Sequence, residues 1–136
     1  MNLIDLIKKH EGYSATPYTD TVGKITIGWG RNLTDNGISE EEATMLLSHD
    51  LDKCERQLNN LQWYSHLSHI RKDVLVSMVF NMGFRGFLSF KKMIIAIEEH
   101  HWREAAKQML DSKWANQVGR RAVELAYMME HDRYMP

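Results

Sequence analysis

β-Strand patterning is confined to one short stretch of this chain, residues 13–33, and that confinement decides the fold class. The stretch is rich in Tyr, Thr, Gly and Ile, and Lys24-Ile25-Thr26-Ile27-Gly28-Trp29 alternates as a half-buried strand does. Val22-Gly23-Lys24 is the expected turn between its first two strands. Ahead of it, Leu3, Leu6, Ile7 and His10 recur at helical spacing, with Asn2 placed to cap them and Gly12 to stop them, so a helix is expected over 2–11. From Ser39 onward the period is helical. Ser39-Glu40-Glu41-Glu42 reads as a capping box opening a helix that the apolar pattern carries through Leu61. Further helices are expected over about 69–82, 90–99, 102–111 and 119–131, punctuated by Gly83, Gly86 and Gly119. Trp63, Phe80, Phe84, Phe87, Phe90, Trp102 and Trp114 offer bulk for a helical core. Helix, small antiparallel sheet, then helical bundle is an α+β order, and a cleft between sheet lobe and bundle is where a site is expected.

Composition agrees with a self-sufficient core. The 136 residues are 43% hydrophobic and 26% charged, which argues against disorder, and a chain of this size buries roughly two-thirds of its unfolded surface. One cysteine, Cys54, excludes an internal disulfide. Its spacing with Leu51, Leu58 and Leu61 marks a buried structural thiol. The apolar stretch of MNLIDLIKKHEG is too short and too charged for a signal peptide or a membrane span, so no stable membrane insertion is expected. Net charge is -1, divided unevenly: residues 1–60 hold 6 basic and 10 acidic side chains, residues 61–136 hold 11 and 8. Either these are solvated helix faces or the basic second half attracts an anionic polymer weakly.

Two carboxylates carry the chemical interest. Glu11 ends the first helix, where the negative end of the helix dipole disfavours its charged form, as a general acid requires. Asp20 is expected in the first strand between Thr19 and Thr21, where hydroxyls suit an ionised group. Unequal carboxylates across a cleft are the apparatus of glycoside hydrolysis. By itself, a pair of acids nine positions apart is more often structural. If the turn centres on Gly23, positions 20 and 26 are cross-strand neighbours on one face, and Thr26 can hold a water beside Asp20. Thr26 is equally well accounted for as a good strand former.

At these residues a family resemblance becomes specific. Glu11-Gly12, Tyr18-Thr19-Asp20, Gly23 and Thr26-Ile27-Gly28-Trp29-Gly30 resemble the active-site signature of bacteriophage lysozymes of glycoside hydrolase family twenty-four. Downstream, Met78-Val79-Phe80-Asn81-Met82-Gly83 and Trp114-Ala115-Asn116-Gln117 with Arg121 resemble further family segments, so the likeness spans nearly the whole chain. It departs in three places. The chain is shorter than the T-even phage members, with the gap between Leu33-Thr34 and Asn36-Gly37, which implies a smaller sheet lobe. Position 31 is Arg where the family often has His, and Asn81 stands where those members have Gln.

The resemblance implies a single lysozyme domain over 1–136, with a sheet lobe at about 12–38 and a helical lobe at about 39–136 on which the first helix packs. It implies Glu11 as general acid, Asp20 as its partner activating water, and Thr26 as the holder of that water. Arg121 is implied as the cation paired with Glu11, a role in which charge would lower the carboxyl pKa while burial raises it. Gln117, Phe80, Asn81 and Gly30 are implied as substrate-side support. The implied reaction is hydrolysis of the β-1,4 bond between N-acetylmuramic acid and N-acetylglucosamine in bacterial peptidoglycan, with inversion. That outcome calls for carboxyl groups roughly 6.5–9.5 Å apart. No cofactor is implied. The expected setting is a monomeric endolysin, held in the host cytoplasm until a holin-type membrane pore releases it to the wall. A tail-associated or effector enzyme and a non-catalytic wall-binding module are the alternatives.

Other features point elsewhere only weakly. Seven histidines include His66 with His69 and His100 with His101, but neither an HExxH pattern nor a cysteine cluster accompanies them, so no metal is expected. Lys91-Lys92 and Arg120-Arg121 in a chain of net charge -1 do not make a nucleic-acid surface. Nine methionines read as core filler.

Overall fold

The computed structural model describes residues 2–136 and divides into two compact units, Met1–Leu46 and Leu47–Pro136. The first unit opens with α1 (Leu3–Glu11), capped by Asn2, whose Oδ1 accepts from the Asp5 amide at 2.8 Å. Gly12, at φ +72°, stops it and donates its own amide to the Lys8 carbonyl. Three strands follow as an antiparallel sheet in the order β1 (Ser14–Thr19), β2 (Ile25–Gly28), β3 (Arg31–Asn32). Pro17 is tolerated because β1 is an edge strand, and a bulge lies between Ser14 and Tyr18. A single helical turn, α2 (Leu33–Asn36), is capped by Asn32 and bound to β2 where the Ile25 amide donates to Thr34 Oγ1 at 2.8 Å. The sequence pattern did not announce it.

Helix α3 (Glu40–Leu58) carries the chain from the first unit into the second. Its start is the expected capping box: Ser39 Oγ accepts from the Glu42 amide at 3.0 Å, and a Glu42 carboxylate oxygen accepts from the Ser39 amide at 2.9 Å. The helix ends at Leu58 rather than Leu61. A 3-10 turn, Tyr64–His66, leads to α4 (His69–Leu88), whose helical backbone is interrupted at Gly83 (φ 82°, ψ 157°), where a stop was expected, and resumes after it. Then come α5 (Lys91–Glu98), α6 (Trp102–Leu110), α7 (Lys113–Val118) and α8 (Arg120–His131). The short α7 was not anticipated, although Ser112 caps it by accepting from the Ala115 amide. In the second unit α6 packs on α5 and α8, and α4 and α7 pack on α8.

The apolar core belongs to this second unit. Leu58, Tyr64, Val74, Leu75, Met78, Phe87, Met93, Ile97, Met109 and Met129 are essentially inaccessible, and burying each large side chain contributes about 1.5–3 kcal/mol. Cys54 is buried as expected, and burial pushes its thiol pKa up. Met78, Met93, Met109, Met128 and Met129 do fill the core. Trp114 is buried, and Trp63, Phe84, Phe90 and Trp102 pack against its edge. Phe80 corrects the core expectation: at 43% exposure its ring faces outward, because its place on α4 lies off the stripe formed by Leu75, Met78 and Val79.

Candidate active site

Within the first unit, the Glu11 side chain lies against the backbone of Gly30. A Cβ at position 30 would stand 2.8 Å from Glu11 Oε2 and 3.0 Å from its Cδ, closer than real Cβ atoms pack. Gly30 also sits at φ +85°, which other residues adopt only with strain. The positive φ is what favours glycine here; the Glu11 carboxyl, the far end of an exposed and flexible side chain, would have to shift for a Cβ. The approach follows from local folding. Gly12 ends α1 immediately after Glu11, and the turn Trp29-Gly30 that follows β2 brings Gly30 against that terminus. Tyr13 and Trp29 meet beside it with ring centroids 5.1 Å apart, and Lys8 Nζ stands 4.9 Å from the Trp29 ring centre.

Asp20 lies one residue beyond β1, not within it, and the hairpin register differs from the expected one. Tyr18, not Asp20, is the partner of Thr26, and Thr19 pairs with Ile25. The turn is centred one residue earlier than Gly23. The Asp20 amide donates to the Lys24 carbonyl at 2.8 Å, and the Gly23 amide to the Asp20 carbonyl at 3.1 Å. The resulting three-residue loop places Gly23 last, at φ +85°. Asp at the first position and Gly at the fourth is the signature of such a turn, and it was present in Asp20-Thr21-Val22-Gly23.

The corrected register changes how Asp20 is held. Its Oδ1 accepts from the Val22 amide at 3.0 Å and from the Lys24 amide at 2.8 Å. The carboxylate is thus fixed by its own turn, and its second oxygen takes no part in these bonds. Thr26 is the buried polar residue of the first unit, 4% exposed, and its hydroxyl donates to the Lys24 carbonyl at 3.1 Å. Lys24 therefore stands between the two: its amide holds Asp20 and its carbonyl holds Thr26.

Arg31 and Glu42 form a pairing that the sequence did not reveal. Arg31 Nη1 and Nη2 donate to the two Glu42 oxygens at 2.9 and 2.5 Å, and Nη1 also donates to the Gly37 carbonyl at 3.1 Å. The guanidinium, with the Ser39 amide, holds the Glu42 carboxyl at a pKa of about 2. The same pairing raises the Arg31 pKa.

The remaining candidates belong to the second unit. Asn81 Oδ1 accepts from Trp114 Nε1 at 2.8 Å, joining α4 to α7. Trp114 and Gln117 line a groove of about 570 Å³ with Met82, Phe90, Lys91 and Lys92. Arg121 Nη2 donates to Ser77 Oγ at 3.1 Å and to the Ser77 carbonyl at 3.3 Å, which aims its guanidinium along α4.

Comparison with known proteins decides the class. The family model described as phage lysozyme matches residues 8–127, a span that includes Glu11, Asp20, Thr26 and Arg121. The chain belongs to the phage lysozyme family. It is accordingly a glycoside hydrolase of the lysozyme type, with peptidoglycan as its substrate class. Two relatives from Dictyostelium discoideum, the probable T4-type lysozymes 1 and 2, are each 29% identical to it. The first alignment covers 93% of this chain and 92% of the relative, the second 95% and 94%. The pre-baseplate central spike protein Gp5 of Enterobacteria phage T4 is 28% identical over 90% of this chain but only 26% of its own length. Among the described residues, no helix is long and apolar enough to cross a membrane.

Proposed function

We propose that this phage lysozyme-family chain is a muramidase, a single lysozyme domain that cleaves the β-1,4 bond between N-acetylmuramic acid and N-acetylglucosamine by single displacement. Glu11 donates a proton to the glycosidic oxygen as the bond to the anomeric carbon breaks. Asp20 takes a proton from a water that attacks that carbon from the opposite face. Thr26 spends its hydroxyl proton on Lys24, which leaves its lone pairs free to accept from that water. Arg121, Gln117, Phe80, Asn81 and Gly30 are the supporting residues on the substrate side. The observation that carries the reading is the contrast between the two carboxylates. One lies close against the Gly30 backbone, and the other is pinned by two amides.

The biological setting that fits is host lysis by a monomeric endolysin released from the host cytoplasm through a holin-type pore. Likeness to a baseplate spike protein supports a second setting, delivery on a phage tail, with the same chemistry. Genes neighbouring the coding sequence separate the two.

The test is the release of reducing ends from purified peptidoglycan by wild type and Glu11→Gln. Muramic acid ends from the wild type, falling on the order of 10²-fold or more in the variant, are expected. An initial α-anomer in the product is the mark of inversion, and a β-anomer overturns it. If wild type releases no ends from walls of several bacteria, the fold serves as a binding module and the catalytic reading is withdrawn.

A further inference from the structure

The Arg31–Glu42 pair has no part in the chemistry just described, yet it holds the backbone next to the catalytic acid. Gly30 is the surface on which the Glu11 carboxyl rests, with clearance too small for a methyl group. Arg31 is the next residue and opens β3, pairing with Ile27 across the sheet. A short strand of two residues has little of its own to fix its position. The Arg31 side chain supplies what the strand lacks, reaching Gly37 and Glu42 with three donor contacts. Glu42 is itself immobilised, because one of its oxygens also closes the capping box with the Ser39 amide and it lies in the first turn of α3, where the dipole favours an anion. The chain of contacts therefore runs from the start of α3 through a two-pronged ion pair to Arg31, then through one peptide unit to Gly30 and the carboxyl of Glu11. All of it lies within the first unit.

We propose that Arg31 and Glu42 are positioning residues for the general acid, a clamp that sets the Gly30 backbone and thereby the orientation of Glu11. The proposal rests on Glu11 being the acid of the muramidase reading. The clamp needs the guanidinium fork, because only two parallel donors fix direction as well as distance. It is not chiefly a source of stability. Both side chains are 41% exposed, and pairs in such surroundings contribute little to folding. A positioning role and a structural role thus predict different outcomes.

Arg31→Met and Glu42→Gln remove the fork from either side. Glutamine at 42 still accepts from the Ser39 amide, so the start of α3 survives in that variant. Turnover of soluble peptidoglycan fragments is measured together with thermal unfolding. The expected result is a fall in kcat on the order of 10-fold in each variant with KM unchanged, since the acid is misdirected while the glycan still binds. The double variant should be no worse than the worse single one, because both break one link. Tm should move by no more than about 3 °C. Arg31→Lys keeps the charge without the fork and should recover only part of kcat.

Unchanged kcat in both variants, or full activity in Arg31→Lys, overturns the clamp. So does a loss of activity that follows the loss of Tm. If wild type itself proves inactive, the muramidase reading fails by that result alone. The clamp is then judged by the ¹³C titration of the Glu11 carboxyl. A midpoint that moves in Arg31→Lys, which keeps the charge and loses only the fork, sustains the link from Arg31 to Glu11, and an unmoved midpoint overturns it.

Discussion

Asp20 performs two tasks that substitution can separate. Its Oδ1 organises the hairpin by accepting from Val22 and Lys24, and the reaction proposed for it needs a carboxylate. Asp20→Asn retains an oxygen acceptor and so should keep the turn, with Tm close to wild type, while activity falls on the order of 10²-fold or more. Asp20→Ala should lose the activity and in addition leave two amides without their acceptor, at a cost of about 1–2 kcal/mol. Measuring turnover and thermal unfolding on the two variants checks both halves. Equal stability of the two would show that the amide bonds do not hold the turn. At this scale, Glu11, Asp20 and Thr26 were readable from the sequence as candidates, and Glu11 at the end of α1 and Thr26 in β2 were placed correctly, but Asp20 and the register of the hairpin were not. Centring the hairpin on Gly23 shifted the register, because a glycine at positive φ closes a three-residue loop rather than marking its middle. The contact between Glu11 and Gly30 had no sequence signal beyond the glycine itself.

Elements with strong end signals were legible, and so were α5, α6 and α8, which helical spacing alone placed to within a residue; the short α7, the second half of α4 and the side-chain joins between helices were not. Asn2, Gly12 and the Ser39–Glu42 box placed the starts or stops of α1 and α3 to within a residue or two. Gly83 was read as a helix stop, and its backbone does leave the helical region there; what the pattern did not show is that a second helical segment follows at once, through Phe87, which is buried in the core. The join of α4 to α8 shows such packing most fully. Arg71, 11% exposed at its side chain, donates to the carbonyls of Met129 (2.7 Å) and Glu130 (3.0 Å) at the end of α8. It also lies 3.9 Å from the Trp102 ring centre, and Ser68 caps α4 while donating to Asp132. One side chain thus satisfies helix-end acceptors, covers an aromatic face and faces an acid. Arg71→Met should lower stability by about 2–3 kcal/mol, because the carbonyls lose their charged donor inside a packed region. Denaturant unfolding measures it. Arg71→Lys should recover less than half, since a single ammonium cannot serve two carbonyls and stack on an indole.

Across the molecule, apolar burial is unequal. The inaccessible hydrophobic side chains run from Cys54 to Met129, all in the second unit, whereas the first unit buries Thr26 and relies on caps, turns and ion pairs. Free energy of local opening follows that distribution. Amides in residues 74–79, 105–109 and 125–129 should exchange only through global unfolding. Those of residues 14–32 should exchange through a smaller opening, roughly 10-fold faster or more. Native-state hydrogen exchange reads the difference, and uniform protection would contradict it. The α+β order was evident from pattern alone, since one β-patterned stretch in a helical chain leaves few alternatives.

The turn that holds Asp20 has a consequence for how this protein can vary. Every contact fixing that carboxylate comes from residues 20–24, so its aim is encoded in five consecutive codons. Drift elsewhere in the sheet can alter what surrounds the carboxylate without rotating it. A single codon gained or lost inside the loop has the opposite effect, moving the amides out of reach in one step. The hairpin therefore behaves as a portable cassette, tolerant of its context and intolerant of any change in its own length.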